Sequence, residues 1–137
     1  MSEINILTLK GIIIEGLGGS NIWMKNYMPS LYPGTLNVLL DTHRPDIQWH
    51  SEYTITDGNL QGKKIKIGNC CINDIPAIII KPPDFNYKKR PNWVEIGHTE
   101  KLRNILKLKT GDCVSIKFTH GTKSFIKKII VNNANLH

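Results

Sequence analysis

The sequence predicts a mainly β protein, a small closed barrel with one short helix. Short β-branched apolar runs recur along the chain, about seven or eight of them, each bounded by Gly, Pro, Asn or Asp. Only one stretch has convincing helical periodicity, so there is no alternation of strand and helix that would signal a parallel sheet. A closed barrel is the economical way to hide so many strand edges.

The elements follow in order. "ILTLKGIIIEGLGG" reads as a strand running into a glycine turn, and a loop is expected through Pro29 and Pro33. "TLNVLL" is a second strand, whose apolar tail Val38 to Leu40 reads as buried. "DTHRPDIQW" is loop, and "YTITDG" is a short edge strand ending at the Asp57-Gly58 turn. "KKIKIGNCCI" predicts a hairpin turning at Gly68-Asn69. "PAIIIK" is a buried strand stopped by Pro82-Pro83, "PPDFNYKKRP" is loop, and "WVEI" is strand. In "TEKLRNILKL", Thr99 is the expected N-cap and Leu102, Ile105 and Leu106 form an apolar helix face. "KTGD" turns into the strand "CVSIKF", "SFIKKIIV" pairs back as a last hairpin, and "NNANLH" frays.

The 137 residues suit one domain, 1–137, with a core at about 4–131. The 40% hydrophobic and 21% charged content excludes a disordered chain, and no run approaches the roughly 18 apolar residues of a membrane span. The N-terminus lacks a signal-peptide pattern, so a cytoplasmic protein with no membrane partner is expected. Three cysteines are an odd number; Cys70 and Cys71 point to opposite strand faces and make a poor metal pair, and all three are expected to pack as reduced side chains. The net charge of +7 invites an anionic partner. Its lysines and arginines are scattered, and none of the three tryptophans lies within a basic cluster of aromatics, which disfavours nucleic acid.

Three stretches bear on chemistry. In "EGLGGSN", glycines 16, 18 and 19 follow a strand; they either present backbone N–H groups to a phosphate or merely satisfy a tight turn. No Gly-Lys-Ser/Thr follows, so it is not a Walker motif. In "PGTLN", Thr35 and Asn37 share one strand face while Leu36 points away. Their hydroxyl and amide oxygens suit Mg²⁺ completed by water and nucleotide phosphates, or alternatively cap the turn. In "WVEIGHTEKLR", Glu95 lies between apolar strand residues where a carboxylate needs a reason to be. His98 precedes the helix and reads as a base or, more simply, as a capping or surface residue. Lys101 and Arg103 sit at the wrong end of a helix for its dipole, which points to anion or base recognition.

Together, "GIIIEGLGGS", "YPGTLNVLL", "IPAIIIKP" and "VEIGHTEKLRNILKLKTGDCVSIKF" resemble, in that order, the CTP-dependent riboflavin kinases, over roughly residues 9–118. The resemblance implies a six-stranded cradle-loop barrel and transfer of the γ-phosphate of CTP to the 5′-hydroxyl of riboflavin, giving FMN and CDP. It implies Mg²⁺ at Thr35 and Asn37, and nucleotide contacts from Leu17, Gly18, Gly19, Ser20, Asn21 and Ile22. Further nucleotide contacts would come from Glu100, Lys101, Leu102 and Arg103. Glu95 would sit at the flavin, orienting the hydroxyl as the catalytic group of a monomeric enzyme.

The chain also departs from the family. Ser20 replaces a glycine, and "NIWMKNYMPSLY" is shorter than usual and reads as lacking the family's helical pattern. His98 and Thr99 stand where a small apolar residue and a proline are common. The flavin-binding threonine has no clear match, with Phe85 or Asn86 nearby. Two other functions therefore remain open: a kinase of the same build acting on another alcohol, and a non-catalytic module binding nucleotide or nucleic acid.

Overall fold

A computed structural model describes residues 7–16, 22–83 and 85–118. Strands β1 (Leu7–Ile14), β2 (Leu36–Leu40), β3 (Trp49–Thr54), β4 (Lys64–Ile72), β5 (Ile75–Lys81), β6 (Trp93–Gly97) and β7 (Cys113–Phe118) form one antiparallel sheet in the order β3-β4-β5-β6-β2-β1-β7. A further pairing of Cys70–Ile72 in β4 with Ile116–Phe118 in β7 brings the sheet back on itself. The result is a closed six-stranded barrel, the cradle-loop barrel the resemblance implied, with β3 attached outside the closure. The final hairpin strand and the frayed end expected from the sequence lie outside the described residues.

Closure follows from the length of β4. Its first half, Lys64–Gly68, pairs with β3 on one side, and its last three residues pair with β7 on that same side. One long strand thus serves an outer ribbon and the barrel in succession. The barrel interior is filled from every wall: Ile13, Leu36, Val38, Leu40, Cys70, Ile72, Ile79, Val94, Ile96, Val114 and Ile116 form one core. Strand alternation explains β2, where Leu36, Val38 and Leu40 are buried while Asn37 and Leu39 face outward. The expected burial of the whole Val38–Leu40 run therefore fails at Leu39, which is 40% exposed. Cys70 packs in the core as expected, but Cys113 lies on the outer face and is exposed.

A second core sits on the outer face of β4 and β5, and it corrects the reading of residues 21–32 as loop. Ile22–Tyr27 is a helix, α1, and its Trp23, Met24 and Tyr27 pack with Met28 and Leu31 over Ile65, Ile67, Ile78 and Ile80. Six residues are too few to be helical alone; burial against the sheet holds them. The Tyr27 hydroxyl accepts the Thr56 N–H at 3.0 Å and donates to Asp57 Oδ1 at 3.3 Å, pinning the helix to the loop after β3.

The β4–β5 turn also lies elsewhere than expected. β4 runs through Gly68-Asn69, and the chain reverses at Asn73-Asp74, whose φ values of 46° and 66° are those of a primed hairpin turn. Gly68 serves close packing instead: a Cβ there would stand 3.0 Å from the Gln48 carbonyl oxygen. The second helix, α2 (Leu102–Leu106), starts three residues beyond Thr99, and its N-cap position is Lys101 with no side-chain cap. Its apolar face is the predicted one, with Leu102, Ile105 and Leu106 closing one end of the barrel.

Two glycines test this packing. A Cβ at Gly11 would lie 2.6 Å from the Leu39 carbonyl oxygen and 2.8 Å from Val38 Cγ1, whereas at Gly97 it would press on the flexible tip of Ile80 at 2.6 Å and otherwise meet Ile78 at an ordinary 3.4 Å. Gly11→Ala is expected to cost at least the about 1–3 kcal/mol typical of overpacking, and Gly97→Ala clearly less, as read by urea unfolding.

Candidate active site

Four strand ends meet at the α2 end of the barrel. Ile14 at the end of β1 pairs with Asn37 at the start of β2, and Asn37 pairs in turn with Glu95 of β6. The turn before β7 joins the same rim, with the Gly111 N–H donating to the Ile13 carbonyl at 2.8 Å and the Ile13 N–H to the Asp112 carbonyl at 2.9 Å. Glu15 follows β1 and accepts the Thr110 hydroxyl at 2.6 Å. The chain therefore leaves the sheet toward the glycine-rich stretch directly beside Asn37.

Asn37 and Glu95, opposite each other on adjacent strands, share the outward face. Thr35, just before β2, joins them: its hydroxyl donates to Glu95 Oε1 at 2.6 Å. The Pro33-Gly34 break makes this approach possible, since Gly34 takes φ 144°, a backbone state that favours glycine. Burial pushes the Glu95 carboxyl above its ordinary value, and the Thr35 hydrogen bond partly opposes the shift. The Trp93 indole N–H also favours the charged form, yet it lies buried without a hydrogen bond of good geometry.

Beyond Thr35 opens a pocket of about 200 Å³ lined by Thr35, Tyr32 and Gly34 on one side and His98 with Glu100–Arg103 on the other. Leu36 and Ile96 form its floor. One wall is tied to the other through the Tyr32 N–H, which donates to the His98 carbonyl at 2.9 Å. Lys101 and Arg103 supply two cations against the single carboxylate of Glu100, a balance that suits an anionic ligand.

The structure thus gathers Thr35, Asn37 and Glu95 into one polar row and sets Glu100, Lys101, Leu102 and Arg103 around the adjoining pocket. Leu17, Gly18, Gly19, Ser20 and Asn21 lie outside the described residues, and Ile22 is the first residue of α1. Tyr32, Gly34 and the floor residues went unread as site residues; the Pro-Gly break before β2 was the available signal for Gly34. Thr99 is not the helix cap, since the N-cap position is Lys101; in the turn before it the His98 ring accepts the Glu100 N–H at 3.0 Å. Glu100 precedes the helix, so His98 holds the turn before α2 and does not cap the helix itself.

The donor set fits Mg²⁺. Among the described residues no group of three or more His, Cys, Asp or Glu is placed to hold a metal. A cation here would rely on the neutral oxygens of Thr35 and Asn37, backed by Glu95, and on phosphates it brings along. Because the Thr35 hydroxyl donates its hydrogen bond to Glu95, the lone pairs of its oxygen stay available to a cation. No helix among the described residues is long and apolar enough to cross a membrane.

Fold and site define a closed barrel with a cation-lined pocket whose Thr35 is hydrogen-bonded to the half-buried carboxyl of Glu95. Residues 13–118 match the model of the CTP-dependent riboflavin kinase family, described as domain of unknown function DUF120. The chain belongs to this family. It is 29% identical over 131 residues to a riboflavin kinase of Thermoplasma volcanium, covering 82% of this chain and 58% of that protein. To a riboflavin kinase of Methanosarcina barkeri it is 27% identical over 132 residues, covering 84% of this chain and again 58% of the relative. The chain thus spans under two thirds of the length of the curated relatives it matches.

The raised Glu95 pKa has a consequence for stability. A carboxyl whose folded pKa lies above its unfolded value contributes most below the unfolded value, and that contribution is lost as pH rises through the folded pKa. Glu95→Gln keeps an acceptor for Thr35 and removes the charge. The variant is expected to be more stable than the parent at pH 8, with the difference vanishing toward pH 4, in paired urea titrations. A variant less stable at pH 8 would mean that Thr35 and its neighbours already compensate the charge.

Proposed function

We propose that the protein is a CTP-dependent riboflavin kinase, acting as a monomer on CTP and riboflavin to give CDP and FMN. The observation that carries the reading is the continuity of the site: the cationic pocket at Glu100–Arg103 shares Thr35 with the Thr35–Asn37–Glu95 row. Family membership and the two relatives named as riboflavin kinases supply the reaction class. The three free cysteines fit a reducing compartment such as the cytoplasm. Among the described residues β3 is an edge of the sheet, and its Glu52, bridged to Lys64 and Lys66, is the kind of charge that discourages strand addition.

In this reading the nucleotide lies in the pocket with its phosphates directed past Thr35, and the glycine-rich stretch Leu17–Ile22 wraps them. Thr35 and Asn37 would hold Mg²⁺, which when bound would neutralise charge on the transferring phosphoryl group. Glu95 has Oε1 engaged by Thr35, so Oε2 is the oxygen that addresses the acceptor's 5′-hydroxyl. The new bond forms between that hydroxyl oxygen and the γ-phosphorus, the bond from the γ-phosphorus to the β,γ-bridging oxygen breaks, and the hydroxyl proton is released. A carboxylate with a raised pKa is a better proton acceptor than an ordinary one, which supports Glu95 taking it. Otherwise the protein works by positioning.

A second reading keeps the nucleotide and changes the alcohol. The loop after β5, where the family's flavin-binding threonine would fall, is strapped down by Arg44. Its guanidinium donates to the carbonyls of Arg90 (2.9 Å), Trp93 (2.8 Å) and Tyr87 (3.2 Å) and stacks 3.4 Å from the Tyr87 ring centre. In the same loop Phe85 packs edge-on to Tyr87, ring centres 5.4 Å apart, and lies 6.0 Å from Trp93, beside Glu95 in β6, so this reading assigns the choice of acceptor to these rings.

The test offers CTP, ATP, GTP and UTP separately with Mg²⁺ and riboflavin, reading FMN by chromatography. FMN with CTP alone is the expected result. CTP binding without FMN would favour the second reading, and neither binding nor transfer would sink both. Asn37→Ala is expected to reduce turnover at least about tenfold while changing unfolding free energy by less than about 1 kcal/mol. Equal losses in both would return Asn37 to a structural role.

A further inference from the structure

β6 ends at Gly97 and α2 begins at Leu102, so residues 98–101 must turn without a sheet ladder to satisfy their amides. Their turn forms one wall of the pocket. The N-cap position Lys101 gives no side-chain hydrogen bond to the helix, and Thr99, the residue chemically suited to capping, does not start it. His98 acts instead, in two directions. Its backbone carbonyl accepts the Tyr32 N–H at 2.9 Å, which fixes it to the opposite wall. Its ring Nδ1 accepts the Glu100 N–H at 3.0 Å, with the Thr99 hydroxyl at 3.5 Å.

A side-chain acceptor at one residue taking the N–H two residues on is the geometry of an Asx turn, made here with imidazole in place of a carboxamide. We propose that His98 is a positioning residue for the nucleotide: its ring nitrogen holds Glu100–Arg103 in the conformation that receives the ligand. The inference rests on the nucleotide reading of the pocket given above. It goes further in assigning affinity to a residue that need not touch the ligand's phosphates. Accepting at Nδ1 requires the neutral ring with its proton on Nε2, and burial of His98 favours the neutral form. The Glu100 carboxylate opposes this, while Lys101 and Arg103 are the cations lining the same pocket.

Two substitutions separate the acceptor from the ring. His98→Asn keeps an oxygen close to where Nδ1 stands and loses the ring. His98→Phe keeps a ring and loses the acceptor. A hydrogen bond of ordinary net strength corresponds to a factor of about 2–13 in an equilibrium constant, so CTP measured calorimetrically with Mg²⁺ at pH 8 should bind His98→Phe about fivefold more weakly. His98→Asn should stay within about twofold of the parent, and melting temperatures of the two variants should agree closely. Amide exchange at Glu100 provides a ligand-free measure: protection kept in the Asn variant and lost in the Phe variant.

Equal weakening by both substitutions would show that ring packing, not the acceptor, matters, and unchanged binding in both would show that the turn holds without His98. Either overturns the proposal. If the parent chain binds no CTP, the nucleotide reading fails and this role fails with it. The exchange pattern at Glu100 would then still tell whether the turn is held by Nδ1, so the two failures are distinguishable.

Discussion

The pairing of Cys70–Ile72 with Ile116–Phe118 is the constraint on which the rest depends. It turns an open sheet into a barrel, and in a barrel the strand ends can no longer splay. Closure fixes where β1, β2, β6 and β7 finish and start, and so brings Ile14, Asn37 and Glu95 into one row at the end plugged by Leu102. These residues are far apart in sequence. What joins them is the ladder, and the ladder holds because the interior is packed by apolar side chains from all six walls.

On that frame the site is a local conflict. Hydrophobic packing around β6 favours apolar residues on both faces, yet Glu95 sits among them with its carboxyl pushed toward the neutral form. Thr35 answers part of the cost with one short hydrogen bond. A carboxylate held this way is neither fully solvated nor fully compensated, a state that suits a group meant to meet a hydroxyl and a cation. The same economy appears at α2, where His98 rather than a dedicated N-cap orders the turn bearing Glu100, Lys101 and Arg103.

Much of the fold was legible because strand alternation is a local signal. β1, β2, β5, β6 and α2 emerge where apolar runs and turn residues place them. α1 was missed, although Trp23, Met24, Tyr27, Met28 and Leu31 are spaced for a helix, because the segment is short and Pro29 follows closely. Its stability lies in Ile65, Ile67, Ile78 and Ile80, residues no local window contains. Gly68-Asn69 was read as the turn, whereas the β4–β5 register carries the strand through it and reverses the chain at Asn73-Asp74. At the site, Thr35 and Asn37 stood out as a pair of oxygens on one strand face, and Glu95 separately as a carboxylate in apolar surroundings. The pairing of Asn37 with Glu95 needed the β2–β6 register, and the role of His98 needed the geometry of its ring.

The most direct test of the account is a crystal structure of the protein with Mg²⁺ and a non-hydrolysable CTP analogue. The account requires the nucleoside between Tyr32 and Leu102–Arg103, with the phosphates and cation at Thr35 and Asn37 and Glu95 beside the γ-phosphate. A nucleotide bound on another face, or a cation held away from Thr35 and Asn37, would contradict it.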